Sequence, residues 1–321
     1  MDTGVTAIRG VMKASPQARR YQRTIAFLIV VIPFAGVLAA AAHLWGWHVS
    51  ALNLILLAVM YTLTIVGITA GFHRHFTHRA FEAAIPVRWA LGILGSMAGQ
   101  GPLLFWVATH RRHHAFSDRE GDPHSPHTDG HTPIHGIWRG IWHAHLGWMF
   151  SDEITSWPHY AADHMRDKLT FRLNQTYFFW LFLGLALPAA IGGLVTMRWS
   201  GALSGFLWGG LVRMFLANHV CWCVGSVCHA FGTRPFQNRD HSANNYVVAL
   251  LAFGEGLQNN HHAFPGSANH RVAWWEPDLS SWIIHGLKKL GLVWSVRVPT
   301  HEEVEEARRA TTINTPAEAS A

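Results

Sequence analysis

Charge is what this chain is short of. Only 14% of its 321 residues are Asp, Glu, Lys or Arg, where a soluble domain carries about a quarter. From Thr24 to His73, and again from Leu173 to Met197, there is no formally charged side chain at all. Such a chain does not read as a soluble protein. Cysteine is scarce too: Cys221, Cys223 and Cys228 fall within one apolar stretch, which excludes a disulfide framework and reads as small buried apolar residues. No basic stripe or nucleic-acid motif accompanies the net charge of +6, so a nucleic-acid partner is excluded. The first apolar run is too long for a cleavable signal peptide and lacks a cleavage site.

The uncharged runs divide into membrane spans. Fifty residues exceed the roughly 20 that cross a bilayer, and the break falls at His43-Leu44-Trp45-Gly46-Trp47-His48, a tryptophan-bearing interfacial patch. Two hairpins follow, with spans at 24–44 and 51–72, then 176–196 and 200–222. His43 and His48 then sit as interfacial side chains on the far side. Lys and Arg number five in the arm 1–23, ten in 74–172 and eight after Arg213, against Arg198 alone in the two hairpin turns. The positive-inside rule therefore puts both termini and the 74–172 segment in the cytoplasm. Ile85–Gln100, short and flanked by Pro86 and Pro102, reads as an interfacial helix. The expected fold is thus an all-α integral, multi-pass membrane protein of four transmembrane helices in two hairpins, with an interfacial helix and a cytoplasmic helical cap. The cap comprises 73–172 and 223–299, the whole domain 24–299, and 300–321 reads as a disordered tail or frayed helix.

What the chain has in excess is histidine, 24 residues. In Thr109–Asp118, His110, His113 and His114 follow the pattern H-x-x-H-H. On a helix these positions share one face and make a metal-binding surface. His73 and His78 are five apart, about 140° around an α-helix, so they fit a site that surrounds them or a helix that loosens there. His229 follows the fourth span, and Gly254–His262 ends in His261-His262. Eight imidazoles (His73, His78, His110, His113, His114, His229, His261, His262) exceed the needs of one metal and imply two. Imidazole alone does not choose among iron, zinc, copper and nickel. A redox metal pair beside a bilayer points to oxygen chemistry on a lipid. The loop-borne His124, His127, His131, His135, His143 and His145 read as structural hydrogen bonding and loop packing.

The ordered set HRHFTH (73–78), HRRHHAFSD (110–118), GDPH (121–124), HLGW (145–148), SVCHAFG (226–232), RPF (234–236) and GEGLQNNHHAFP (254–265) resembles the membrane fatty-acid desaturases, stearoyl-type Δ9 and acyl-lipid branches, over about 24–299. That resemblance implies a histidine-held pair of iron ions (Fe2+), O2 as co-substrate and insertion of a cis double bond into an acyl chain held in a bent tunnel. It implies an active site on the cytoplasmic side. Electrons come from a separate carrier, ferredoxin or cytochrome b5, since the chain shows no haem, flavin or [2Fe–2S] motif. Trp222 matches a substrate-lining tryptophan of the family, Trp106 is a second candidate lining residue, and Arg213 matches a family position whose partner the sequence does not show.

Three departures from the pattern matter. Gln258 stands where the last box commonly has histidine; it ligates metal or orients a water. Gly225 stands where stearoyl-type enzymes have an asparagine that reaches iron through water. Ala108 and Thr109 replace an Arg-Asp pair, and Phe150-Ser151-Asp152 follows HLGW where an Arg-Lys pair is expected. Residues that grip a coenzyme A headgroup are therefore not visible, which favours a membrane-lipid acyl group over an acyl thioester on CoA or acyl-carrier protein. The rival readings are a diiron lipid or alkane hydroxylase, which shares histidine boxes but not these spacings, and a membrane metal carrier.

Overall fold

A computed structural model describes residues 8–46 and 49–314. Four helices in it are long and apolar enough to cross a membrane: Pro16–Ala42, Ala51–Thr77, Tyr177–Thr196 and Trp199–Ser226. They correspond to the four expected spans, with different ends. The first begins eight residues early, so part of the arm 1–23 is helical. The second runs five residues past 72. The turn between the first two spans at 47–48, the side chains of the 43–48 patch, and the last residues of the tail lie outside what is described.

Close helix approach depends on small residues, since apolar side chains gain nothing over lipid by packing on each other. A Cβ at Gly192 would stand 2.3 Å from the Gly201 carbonyl oxygen, and one at Gly205 would stand 2.2 Å from that of Pro188. The third and fourth spans therefore touch backbone to backbone. The 13-residue helix Ile85–Met97, expected as interfacial, packs its Leu91, Gly92 and Gly95 inward. A Cβ on Gly67 would meet the Gly95 nitrogen at 2.2 Å, so this helix lies directly on the second span.

Arg213, in the fourth span, is fully buried. Its Nη1 donates to the Met97 carbonyl (2.8 Å), Nη2 to that of Gly184 (3.0 Å) and Nε to that of Gly209 (3.2 Å). Those are the partners that the sequence left unnamed. A charge within a span is costly unless satisfied; here it ties the end of the short helix to the third and fourth spans.

The cap is not purely helical. Val11–Lys13 pairs antiparallel with Glu153–Thr155, and Glu82–Ala83 with Val293–Trp294. Arg19 and Arg23 both reach Asp152 (3.1 and 2.8 Å), so the N-terminal arm is fastened across the cap. The segment expected as a tail or frayed helix is helical over His301–Asn314. Thr300 Oγ1 accepts from the Glu303 N–H (3.2 Å), and the Glu303 carboxylate accepts from the Thr300 N–H (2.6 Å). That is a capping box, T-x-x-E, which starts a helix where composition left a disordered tail or a frayed helix open.

Candidate metal centre

The box helices set the geometry. The second span does not stay α-helical: Gly67–Thr77 is a π-helix, and the His78 N–H donates to the His73 carbonyl at 3.1 Å, an i to i+5 bond. The wider turn brings residues five apart toward one face. Of the two readings that the His73–His78 spacing left open, a surrounding site or a loosened helix, the backbone takes the second. His110, His113 and His114 lie on the helix Leu103–Phe116. Gln258, His261 and His262 lie on a single-turn helix, Gln258–Ala263.

Together they form two clusters. His73, His78, His110, His114 and His261 each offer a ring nitrogen, all within 4.8 Å of one another. His114 Nε2 lies 3.0 Å from both His110 Nε2 and His261 Nε2; His110 and His78 Nε2 are 3.2 Å apart, and His73 and His261 Nε2 3.1 Å. A neutral imidazole nitrogen either donates once or accepts, so hydrogen bonding does not account for His114 Nε2 meeting two like atoms. A shared metal does: ligands about 2.1 Å from one ion and at right angles stand about 3.0 Å apart. The second cluster is His113, His229 and His262. His113 Nε2 and His229 Nε2 are buried and have no hydrogen-bond partner. Gln258 joins it through an amide contact with His262 Nε2 (3.0 Å), while its buried Oε1 has no partner. Which amide atom is oxygen is assigned from the surroundings; turned over, the same contact places a carbonyl beside the imidazole, as in a ligand set.

The spacing rule held and its corollary did not. The three histidines of Leu103–Phe116 were expected on one metal surface. His110 and His114, four apart, join the five-histidine cluster, and His113 turns to the other. His261 and His262 divide the same way. The two clusters therefore lie on either side of these two helices' box residues.

Four carboxylates that the sequence reading did not assign hold the far ring nitrogens. His73 Nδ1 meets Glu255, His113 Nδ1 meets Asp122 (3.0 Å), His229 Nδ1 meets Asp118 (2.8 Å) and His262 Nδ1 meets Asp240 (2.6 Å). The hydrogen bonds of His113, His229 and His262 fix the tautomer and turn Nε2 toward the cluster, while Glu255 faces His73 as a charge. Buried Arg74 supports Glu255 (3.2 Å) and Asp278 (2.8 Å) in turn. Burial, reinforced by neighbouring imidazoles, holds His78, His110, His114 and His261 well below the usual histidine range. Burial also lowers His262, to about 4, against the pull of Asp240. Neutral rings are the form that binds metal. For His113 burial acts the same way, but Asp122 outweighs it and raises the group. Asp118, Asp122 and Asp240 stay below the usual carboxylate range despite burial, because of their histidine partners.

His270 was also missed. It is buried, its ring is 4.5 Å from that of His261 and 5.2 Å from that of His73, and neither ring nitrogen has a hydrogen-bond partner. No box motif contains it. Among the loop histidines, the structural reading fits three: His127 Nε2 donates to the His229 carbonyl (2.8 Å), His131 meets Glu153 (2.8 Å), and His145 bridges Ser226 and His219 (2.9 Å each).

A cavity of about 1160 Å³ passes both clusters. Its wall includes His73, His110, His113 and Gln258, and both expected lining residues, Trp106 and Trp222. Ile68, Phe105 and Tyr177 are among its apolar lining residues, and Lys13, Arg23, Asp129 and Glu153 among its charged ones. A mainly apolar cavity with some charged lining residues, bordered by both histidine clusters, suits a long acyl chain with a polar head. Thr109 also lines it, while Ala108 is fully buried.

The fatty acid desaturase family model matches residues 50–295. The chain belongs to that family. Among its relatives is a hex-5-enoyl-[acyl-carrier protein] acetylenase of Moorena producens, 45% identical over 282 residues, covering 87% of this chain and 88% of the relative. An sn-1 stearoyl-lipid 9-desaturase of Synechocystis is 35% identical over 280 residues, 86% of this chain and 80% of that one. An acyl-CoA C20 Delta5-desaturase of Anemone leveillei is 36% identical over 240 residues, 74% and 70%. This desaturase is thus an oxidoreductase of fatty acyl chains, with histidine clusters able to hold a metal cofactor.

Proposed function

We propose that this desaturase binds two irons, one at each histidine cluster, and uses O2 to insert a cis double bond into an acyl chain. The observation that carries the reading is the pair of converging imidazole clusters on the wall of one acyl-sized cavity. The donor set fits iron: imidazoles, no thiolate, and orphaned Nε2 atoms on His113 and His229 where a metal would sit. Bound reduced iron would supply the O2 chemistry. Overall, two hydrogens leave adjacent methylenes, and O2 takes these, two further protons and two electrons to give two waters. The electrons come from an external carrier of the ferredoxin or cytochrome b5 type.

The chain's own residues do the rest. Glu255, Asp122, Asp118 and Asp240 aim the rings. Trp106 and Trp222 border the cavity beside the clusters and hold the reacting methylenes in place. The excess of Lys and Arg on the box side supports a cytoplasmic active site and cytoplasmic termini.

The acyl head is a membrane lipid or a thioester. Ala108 and Thr109 supply no charge where a headgroup clamp was sought, which favours the lipid; the acetylenase relative acts on an acyl-carrier protein, which keeps the thioester in the test. Expression in a host lacking its own desaturase, with lipid and acyl-carrier-protein pools analysed separately by mass spectrometry, decides. Loss of two hydrogens in either pool supports the reading and names the carrier. Gain of one oxygen instead would replace it with hydroxylation.

A further inference from the structure

The two clusters are unequally furnished. One has five imidazoles; the other has three and the amide of Gln258. Beside the poorer one, Gly225 presents no side chain. An atom built there as Cβ would stand 3.1 Å from His124 Nδ1 and 3.5 Å from His124 Cε1, and its third neighbour, at 3.9 Å, is also an atom of His124. The space that a side chain at 225 would enter is therefore taken by one imidazole.

That imidazole is held in place. Its ring stacks on His113 (centroids 4.5 Å apart, planes at 22°), and Trp148 packs at 5.4 Å. Its backbone N–H donates to Asp122 (3.0 Å), the carboxylate that aims His113. Yet His124 Nδ1 is buried and has no hydrogen-bond partner. A buried polar atom without a partner is costly, and a bound water would satisfy it. His124 also borders the cavity together with Gly225 and Gln258.

We propose that His124, through Nδ1, holds a water between itself and the His113–His229–His262 cluster, and so supplies from the 121–124 loop a polar group in the space beside Gly225. His124 groups with His113 and Asp122 rather than with the other two imidazoles of that cluster, and one water spans the remaining step. The assignment makes His124 a positioning residue of the second site. It rests on the two-metal reading above.

The test is Mössbauer spectroscopy and iron content of the full-length protein in detergent, reconstituted with 57Fe(II). His124→Phe keeps the ring stacked on His113 and removes both nitrogens. Wild type should show two irons in two environments. The variant should lose or shift one environment, with second-site affinity down about 10-fold or more, while the five-histidine signal stays. Two irons with both signals unchanged overturn the assignment. If the phenylalanine variant does not fold, His124→Ala is measured with and without added imidazole. Recovery of the altered signal by imidazole supports the assignment; an unaltered signal, or a loss that imidazole does not repair, overturns it. A wild type without a second iron overturns the two-metal reading and this assignment together, and is seen before any variant is made.

Discussion

His110 and His113 sit one turn apart on the same helix and serve different clusters, His110 Nε2 lying 3.0 Å from His114 Nε2 while His113 joins His229 and His262. Three residues advance the helix by about 300°, four by about 400°, so positions i and i+4 nearly superimpose while i+3 is turned aside. An H-x-x-H-H motif therefore divides its histidines between two clusters as readily as it makes one surface.

Removal of single ligands should expose this division. His114→Ala should empty the five-histidine site and leave the second filled; His262→Ala should do the reverse. Each should hold about one iron per chain and form no unsaturated product, with the retained Mössbauer environment differing between them. If both variants lose the same environment, the division is wrong.

The boxes were legible because their members are neighbours in sequence, and spacing alone restricts which faces they share. The i, i+5 spacing of His73 and His78 left a surrounding site or a loosened helix open, and the π-helix is the second of these. The carboxylates were less legible. Asp118 and Asp122 lie close to the second box, but Glu255 reaches His73 across the fold, and an acid near a histidine in sequence carries no mark of which ring it will meet. His270 belongs to no motif, so nothing distinguished it from the other histidines of the chain. Gly225 stood out as a missing side chain, but that His124 fills its place depends on tertiary packing between segments a hundred residues apart. The spans were legible from absent charge; their ends were not, since the π-helical extension and the early start of the first helix carry no hydropathy signal of their own.

Arg213 should matter to stability rather than to chemistry. Arg213→Leu removes the donors of three buried carbonyls, those of Met97, Gly184 and Gly209. At about 1 kcal/mol or more for each, the loss is on the order of 3 kcal/mol, or roughly 5 °C or more in Tm. Iron content of the surviving folded protein should match wild type. Thermal unfolding in detergent checks this; an unchanged Tm would show that the carbonyls find other donors.

Asp163 should make stability acid-sensitive. It accepts from Arg111 (2.8 Å) and Arg79 (2.6 Å). Burial alone would raise its pKa, but the Arg111 hydrogen bonds prevail and bring it from 3.8 to about 2. A folded-state pKa below the unfolded one stabilises above the unfolded value, and that contribution is lost as pH falls from about 4 toward 2. Wild type should therefore melt higher than Asp163→Asn at pH 6, and the two Tm curves should converge between pH 4 and pH 2. With the carboxylate nearly a third exposed, solvent screening keeps the difference small. Parallel curves over that window would mean that the pair contributes nothing.

Asp118→Asn should weaken the second metal without emptying the first. Asp118 Oδ2 accepts from His229 Nδ1 (2.8 Å) and from the His241 N–H (2.7 Å), and Oδ1 accepts from Ser125 Oγ (2.7 Å). Asparagine keeps the volume but offers one acceptor oxygen in place of two, and no charge. It cannot serve His229, His241 and Ser125 as before, so the His229 ring loses its anchor. Loss of such a support typically costs 10–100-fold in metal affinity. Stepwise chelator competition should then strip iron from the second environment at lower chelator concentration than in wild type, with the five-histidine environment released at the wild-type concentration. Simultaneous release of both would mean that Asp118 holds the 118–125 loop as a whole, and that His229 is aimed by something else.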